Sequence, residues 1–223
     1  MSEFGEQRSV STPIWRNAVI LAIMAAICSG LVALTYTTTR DRIIANEKAY
    51  IEQSLQPVLA GVIYDNDLTA SVHTLQPPHE LPGSEAVTVY RVLSGDVPTA
   101  ALFVVSAEGG FVGPIKLLIG VDTDGVITSV RTVSHKETPG IGDLIDETKS
   151  DWILQFAGLT LADPDRSTWT IRRDGGAIDQ ITGASITSRA VVNAIRDTLL
   201  YFEANSDSVF NAPGDAEMEQ KDE

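Results

Sequence analysis

The chain has 223 residues, which is enough for one membrane anchor and one globular domain of ordinary size. Its apolar fraction of 43% supplies material for a core. Its net charge of −14 argues against nucleic acid as a partner, because phosphate backbones require clustered Lys and Arg. The lone cysteine, Cys28, excludes an intrachain disulfide, and the three histidines show no metal-ligand spacing, so no metal site is predicted.

An uncharged and mostly apolar stretch lies between Arg16 and Arg40. As a helix, residues 17–39 would reach about 34 Å, which matches a bilayer core of roughly 30 Å. A cleaved signal peptide is the alternative, but its apolar region is usually only about 7–15 residues long. We therefore predict a transmembrane helix over 17–39 after an N-terminal segment 1–16. The basic residues on its two flanks nearly balance, so they do not decide its orientation.

The next part of the chain changes from helical to strand-like patterning. Apolar residues at helical spacing predict a stalk over 40–60, which Pro57 would end. Strand-like runs follow at 86–92, 101–105, 115–121 and 126–133. The dipeptide Asp124-Gly125 between the last two runs predicts a hairpin.

The C-terminal half returns to helical patterning with one short exception. Helical spacing recurs at 144–156, a short strand is predicted at 168–171, and a final amphipathic helix at 185–204. The acidic residues 205–223 are predicted to be a disordered tail. Hairpin-linked strands with interspersed helices predict an α+β fold, in which a transmembrane helix precedes one mixed α/β domain with antiparallel strands at 61–204.

A run of small and hydroxyl residues, TGASITS at 182–188, lies where a loop enters the last helix. Gly183 and Ala184 let a bulky group approach the backbone closely, and the first turn of a helix favours an anion. Arg189 adds a nearby cation. Four hydroxyls can donate to phosphate oxygens: Thr182, Ser185, Thr187 and Ser188. Ordinary helix capping explains the same residue types, so the residues alone leave capping and phosphate binding both open.

The run DQITGASITS at 179–188 resembles the flavinylation motif of FMN-binding domains, commonly written S/T-G-A-T/S-x-T-S. In that family the second threonine of the motif forms a phosphoester with FMN, installed by a flavin transferase that uses FAD and magnesium. The matching residue here is Thr187. The resemblance implies that the rest of the motif also contacts the cofactor, namely Thr182, Gly183, Ala184, Ser185 and Ser188.

A second run, SHKETPGIGD at 134–143, resembles the H-x-E-T-P-G-L-G loop of the same family, with Ile141 in place of Leu. Pro139 and the two glycines predict a tight turn whose amides can face a ligand. The resemblance implies that Glu137 and Thr138 make polar contacts and that Ile141 packs on the flavin ring. Alternatively, Glu137 is a solvated surface carboxylate and His135 has no role. The contact set implied for this loop is Glu137, Thr138, Gly140, Ile141 and Gly142.

The two motifs stand about 45 residues apart behind a single apolar helix, and in this combination the chain is most similar to the G-type subunits of the Rnf electron-transport complex. The related C-type subunits of the sodium-translocating NADH:quinone reductase tend to be longer and to carry Gly where Lys136 stands. The resemblance implies a redox relay that carries covalent FMN between ferredoxin and NAD. Its partners would be the other membrane subunits of the Rnf complex and the flavin transferase.

The same resemblance implies a bacterial inner-membrane protein with residues 1–16 in the cytoplasm and the FMN-binding domain 61–204 in the periplasm. Such a chain is a relay subunit rather than a self-contained enzyme. Two alternatives remain open: a standalone flavinylated periplasmic carrier, or a non-redox membrane-anchored binding or assembly protein whose hydroxyl run only caps a helix.

Overall fold

The computed structural model describes residues 14–59, 61–68 and 71–211, so most of the predicted N-terminal segment and residues 212–223 of the predicted tail lie outside it. The chain divides into two compact units, residues 1–48 and 49–223. In the first unit, helix α1 (Ile14–Val58) carries a stretch, Trp15–Arg40, that is long and apolar enough to cross a membrane. Its side chains are exposed, unlike those of a helix in a soluble core, so the predicted apolar helix is confirmed.

The second unit is built on a five-stranded antiparallel sheet whose strands are neighbours in chain order. All four predicted strands are present, and the α+β fold class is confirmed. The missed strand is the short, half-buried edge strand, because Val72–Leu75 offers no apolar alternation to detect. The strands are β1 (Val72–Leu75), β2 (Val87–Ser94), β3 (Val97–Ala107), β4 (Ile115–Asp122) and β5 (Ile127–Ser134).

Both faces of the sheet are covered, which explains why its central strands are nearly continuous apolar runs. In β3, Phe103 and Val105 face the larger core, while Leu102 and Val104 face the smaller one. The smaller core is closed by the last turns of α1 and the residues that follow it: Ile51, Leu55, Val58 and Leu59. A Cβ at Gly120 of β4 would lie 2.9 Å from Val58 Cγ1, so glycine is needed where this helix end meets the sheet.

Helix α2 (Ser185–Asn211) covers the opposite face and forms the larger core with the sheet. Phe202 packs edge-to-face against Phe103, with ring centroids 6.2 Å apart. The predicted start at Ser185 is confirmed, whereas the end predicted at 204 is too early. The helix continues to Asn211 because Val209 is buried in the same core and Phe210 packs on Phe202.

Two predictions between the sheet and α2 are wrong. The helix predicted over 144–156 is two short 3-10 helices, Gly142–Ile145 and Asp151–Phe156. The side chain of Asp146 accepts from Thr148 N at 2.8 Å and turns the chain between them. The strand predicted at 168–171 is a 3-10 turn, Arg166–Thr168, followed by a single parallel bridge between Ile171 and Ile178. Apolar spacing alone does not distinguish these irregular but buried segments from regular elements.

Candidate functional site

A cavity of about 430 Å³ lies where the loop after β5 meets the start of α2. This volume falls within the range of small-molecule and cofactor sites. Residues of both sequence motifs, 134–143 and 182–188, line this cavity, so the fold brings the two motifs together. The cavity is lined by Phe111, Glu137, Thr138, Ile141, Gly142, Arg173, Gly183, Ala184, Ser185, Ile186 and Thr187.

The first turn of α2 forms one wall of this cavity. Gly183 has a φ of +88°, a conformation that turns the chain into the helix and that glycine adopts without strain. The helical hydrogen-bond ladder starts with Ser188 N donating to Ala184 O at 2.9 Å. The amides of Ser185, Ile186 and Thr187 precede the ladder, so the helix itself provides them with no acceptor. This wall therefore offers N–H donors and the positive end of a helix dipole.

Thr187 lies at the floor of the cavity with only 1% of its surface exposed. Its hydroxyl donates to the carboxylate of Glu137, with 2.5 Å between Oγ1 and Oε2. The pair is 50 positions apart in sequence and joins the two motifs directly.

Glu137 is 4% exposed, which rules out the alternative of a solvated surface carboxylate. Its second oxygen, Oε1, accepts from Val112 N at 3.0 Å. His135 has a structural contact, since its Nδ1 accepts from Glu137 N at 3.1 Å. Each oxygen of the buried carboxylate thus has a defined donor, and the loop backbone beneath it is tied to a ring nitrogen.

The loop that carries Glu137 closes into the tight turn that its sequence predicted. Thr138 O accepts from the amides of Ile141, Gly142 and Asp143 at 2.9–3.3 Å. Thr138, Gly140 and Ile141 are exposed, with Thr138 and Ile141 at the cavity. A Cβ at Gly142 would lie 2.9 Å from Glu137 Cβ, so this glycine makes room for the carboxylate. Gly140 has a φ of +77° and lies outside the lining.

The other hydroxyls of the motif have different surroundings. Ser188 is fully buried, accepts from Ile181 N and donates to Ala184 O, both at 3.0 Å, and therefore braces the helix start from the core side. Thr182 is exposed in the turn before the helix and lies outside the cavity lining. Ser185 lines the cavity, and its Oγ accepts from Arg173 Nη1 at 3.2 Å.

Three lining residues were not identified from the sequence: Phe111, Arg173 and Ile186. Phe111 and Ile186 expose 67% and 48% of their surfaces and so present apolar surface at the cavity. Arg173 lies in a 3-10 turn whose position no local pattern predicted. Arg189, the cation predicted nearby, instead forms an ion pair with Asp174 at 2.6 Å, and this hydrogen bond lowers the pKa of the Asp174 carboxyl.

The donor set fits a phosphate-bearing aromatic ligand such as FMN. The helix-start amides and Arg173 suit an anion, while Phe111, Ile141 and Ile186 supply apolar surface for a ring system. The small residues Gly183 and Ala184 leave the helix start open to the ligand. Of the four hydroxyl residues of the motif, only Ser185 and Thr187 line the cavity. These two hydroxyls are therefore the ones in a position to contact a ligand bound there.

Comparisons with known proteins match both parts of the chain. The FMN-binding domain family matches residues 110–200, and the RnfG N-terminal region matches residues 1–58. A protein from Shewanella baltica strain OS223, named as the G subunit of an ion-translocating oxidoreductase complex, is 37% identical over 204 residues, covering 92% of this chain and 96% of that protein. The protein of the same name from Vibrio atlanticus strain LGP32 is 39% identical over 200 residues, covering 90% and 95%.

Proposed function

The chain belongs to the family of G subunits of ion-translocating oxidoreductase complexes, and from that premise we propose that it carries FMN esterified through its phosphate to Thr187. It acts as a membrane-anchored electron-transfer subunit of an Rnf complex. The family assignment and the apolar helix Trp15–Arg40 both support a membrane subunit.

The position of the Thr187 hydroxyl carries the proposal. It lies at the floor of a cofactor-sized cavity, in the first turn of a helix, and it faces a carboxylate. Ser185, the other hydroxyl of the lining, accepts a hydrogen bond from the Arg173 cation, which makes its oxygen a poorer nucleophile. The buried Ser188 accepts from Ile181 N, which lies before the helix, and donates to Ala184 O, so its hydroxyl braces the turn and does not cap the first-turn amides.

When bound, FMN supplies the electron-transfer chemistry, and the protein supplies attachment, orientation and electrostatics. The amides at the start of α2 and the guanidinium of Arg173 would hold the phosphate, since both favour negative charge. Ile141, Ile186 and Phe111 line the cavity and would pack against the ring. A phosphate linkage leaves the ring itself unmodified, and a covalent bond prevents loss of the cofactor by dilution outside the cytoplasm.

The first test replaces Thr187 by Ala in the full chain, expressed together with a flavin transferase. We expect complete loss of the covalent adduct, because no other side chain holds the acceptor position. The adduct is measured as ultraviolet fluorescence of the denatured protein on a gel and as an added FMN phosphoryl group in the intact mass. Ser185→Ala is the matched control in the same turn and should keep the adduct. A Thr187→Ala protein that retained it would contradict the proposed linkage.

Assembly with other Rnf membrane subunits is tested by co-purification from gently solubilised membranes. Recovery of the chain with a set of membrane subunits is expected for a complex component. Recovery of the flavinylated chain alone would instead favour a standalone carrier.

The proposed periplasmic position of the flavin domain needs a separate measurement. Asp124 lies exposed in the hairpin between β4 and β5, so an Asp124→Cys variant presents a thiol at the domain surface. We expect a membrane-impermeant maleimide to label this thiol once the outer membrane is opened, with Cys28→Ser as the background. Labelling only after the inner membrane is broken would place the domain in the cytoplasm.

A further inference from the structure

The contact between Glu137 and Thr187 is unusual for a purely structural pair. Glu137 is buried, and none of the ion pairs found within the described residues involves its carboxylate. A buried carboxylate without a cation is costly in free energy. A glutamine could accept the same hydrogen bond from Val112 N, and a threonine in a helix can satisfy its own hydroxyl on a backbone carbonyl. The packing of this site therefore does not require a carboxylate.

The surrounding backbone nevertheless shapes a place for that carboxylate. A Cβ at Gly110 would lie 2.9 Å from Glu137 Oε1, and a Cβ at Gly142 would lie 3.0 Å from Oε2. Two glycines from separate loops thus leave space for its two oxygens. With Val112 N on one oxygen, the other is directed at Thr187 Oγ1.

The distance and direction suit a proton acceptor. An O–H···O⁻ hydrogen bond of 2.5 Å lies at the short end of the range for a charge-assisted bond, and it places the base within reach of the proton that a nucleophilic hydroxyl must lose. Protein kinases use an aspartate in this way to accept the proton of the substrate hydroxyl during phosphoryl transfer.

We propose that Glu137 is the base that accepts the Thr187 proton when the FMN phosphate is attached, so that the chain contributes a catalytic group to its own modification. This inference rests on the proposed linkage at Thr187. The co-reactant is a flavin dinucleotide delivered by a flavin transferase.

Bonds and electrons balance in this step. Thr187 Oγ1 attacks the FMN-side phosphorus, and a new Oγ1–P bond forms. The P–O bond to the bridging oxygen of the pyrophosphate breaks, and that oxygen departs with its electron pair on adenosine monophosphate. The hydroxyl proton passes to Glu137 Oε2 and then to solvent, and no atom changes its oxidation state. The same hydrogen bonds explain why Thr187 rather than Ser185 receives the phosphoryl group. The Thr187 hydroxyl donates to a carboxylate, whereas the Ser185 hydroxyl accepts from the Arg173 guanidinium.

The test measures the initial rate of FMN attachment to the full-length protein, purified in detergent from cells that lack a flavin transferase. Purified transferase, FAD and Mg²⁺ are added, and the adduct is followed by intact mass. We expect Glu137→Gln to lower kcat by about 100-fold or more, as for loss of a general base, with little change in the KM for the protein substrate. Glu108→Gln is the matched control on an exposed carboxyl of the turn after β3 and should react like the wild type.

A second variant separates proton transfer from damage to the fold. Glu137→Asp keeps a carboxylate, and we expect it to react faster than Glu137→Gln when both proteins show wild-type near-ultraviolet circular dichroism. Equal attachment rates for the wild type and Glu137→Gln would overturn the role of Glu137 as the base. Equally slow attachment by folded Glu137→Asp and Glu137→Gln would overturn it as well. Peptide mapping of the wild-type adduct keeps the two proposals distinct. An adduct on a residue other than Thr187 would contradict the proposed linkage. An adduct on Thr187, together with a wild-type attachment rate in Glu137→Gln, would contradict only the role of Glu137 as the base.

Discussion

The two walls of the cavity are built in different ways. The helix wall, residues 182–188, is anchored in the core through Thr187 and Ser188, which are 1% and 0% exposed. Half of the residues in the loop wall, 134–143, are exposed, and only Glu137 and Gly142 are buried. Its shape comes from three backbone amides that converge on Thr138 O.

This difference separates two tasks. The helix wall holds the reacting hydroxyl at one point, because a residue in the first turn of a core helix cannot shift without moving the helix. The loop wall carries the carboxylate to that point and supplies exposed surface for the ring. Substitutions on the loop wall that displace Glu137 should therefore alter the attachment chemistry. On the helix wall, loss of Thr187 removes the acceptor itself, whereas loss of the neighbouring buried Ser188 should mainly alter stability.

After loss of Thr187 itself, the largest effect is expected from Gly142→Val on the loop wall. The added side chain collides with Glu137 Cβ and Oε2 and displaces the carboxylate from Thr187, so the variant should lose nearly all adduct in a fixed reaction time. Gly140→Val is the matched comparison, because no atom lies within 4 Å of its added Cβ. At its φ of +77° this change costs roughly 1–2 kcal/mol of backbone strain but should leave attachment largely intact. Equal losses in the two variants would contradict a specific role for the space at Gly142.

On the helix wall, Ser188→Ala should destabilise the domain by about 1–3 kcal/mol, since it leaves the buried amide of Ile181 without its acceptor. The free energy of unfolding in denaturant measures this loss, and the attachment rate below the unfolding range should stay close to that of the wild type. Thr182→Ala, on an exposed hydroxyl of the same motif, should change neither quantity. A Ser188→Ala protein that was as stable as the wild type but not flavinylated would contradict the structural role assigned to Ser188.

The smallest effect is expected at Arg173, the exposed cation beside the cavity. Arg173→Gln should weaken non-covalent FMN binding by roughly 1 kcal/mol, which is a factor of about five in Kd. Flavin fluorescence quenching in a Thr187→Ala background measures this Kd, and the difference should shrink at high salt. Arg172→Gln is the control, because the neighbouring guanidinium pairs with Asp179. Identical Kd values for Arg173→Gln and Arg172→Gln would contradict the proposal that Arg173 contacts the phosphate.

Most of the regular elements were predictable because their signals are local. Asp124-Gly125 predicted the β4–β5 hairpin, and the structure has the expected turn, with Gly125 N donating to Asp122 O at 3.1 Å. The apolar face of α2 predicted its start and its burial. The irregular segments between β5 and α2 were not predictable, because their 3-10 turns depend on single side-chain contacts such as Asp165 Oδ1 with Ser167 N.

Sequence by itself determined the apolar helix, four of the five strands, the β4–β5 hairpin and the hydroxyl-rich start of α2. The motif resemblance singled out Thr187 among four hydroxyls. Each of these follows from residues close together in the chain, where periodicity, turn chemistry and small side chains act directly. Only the tertiary structure decided that Glu137 is buried, that it contacts Thr187, and that Arg173 reaches Ser185. These contacts arise from the packing of β5, its loop and α2 around one core, and no local pattern encodes which side chains that packing brings together.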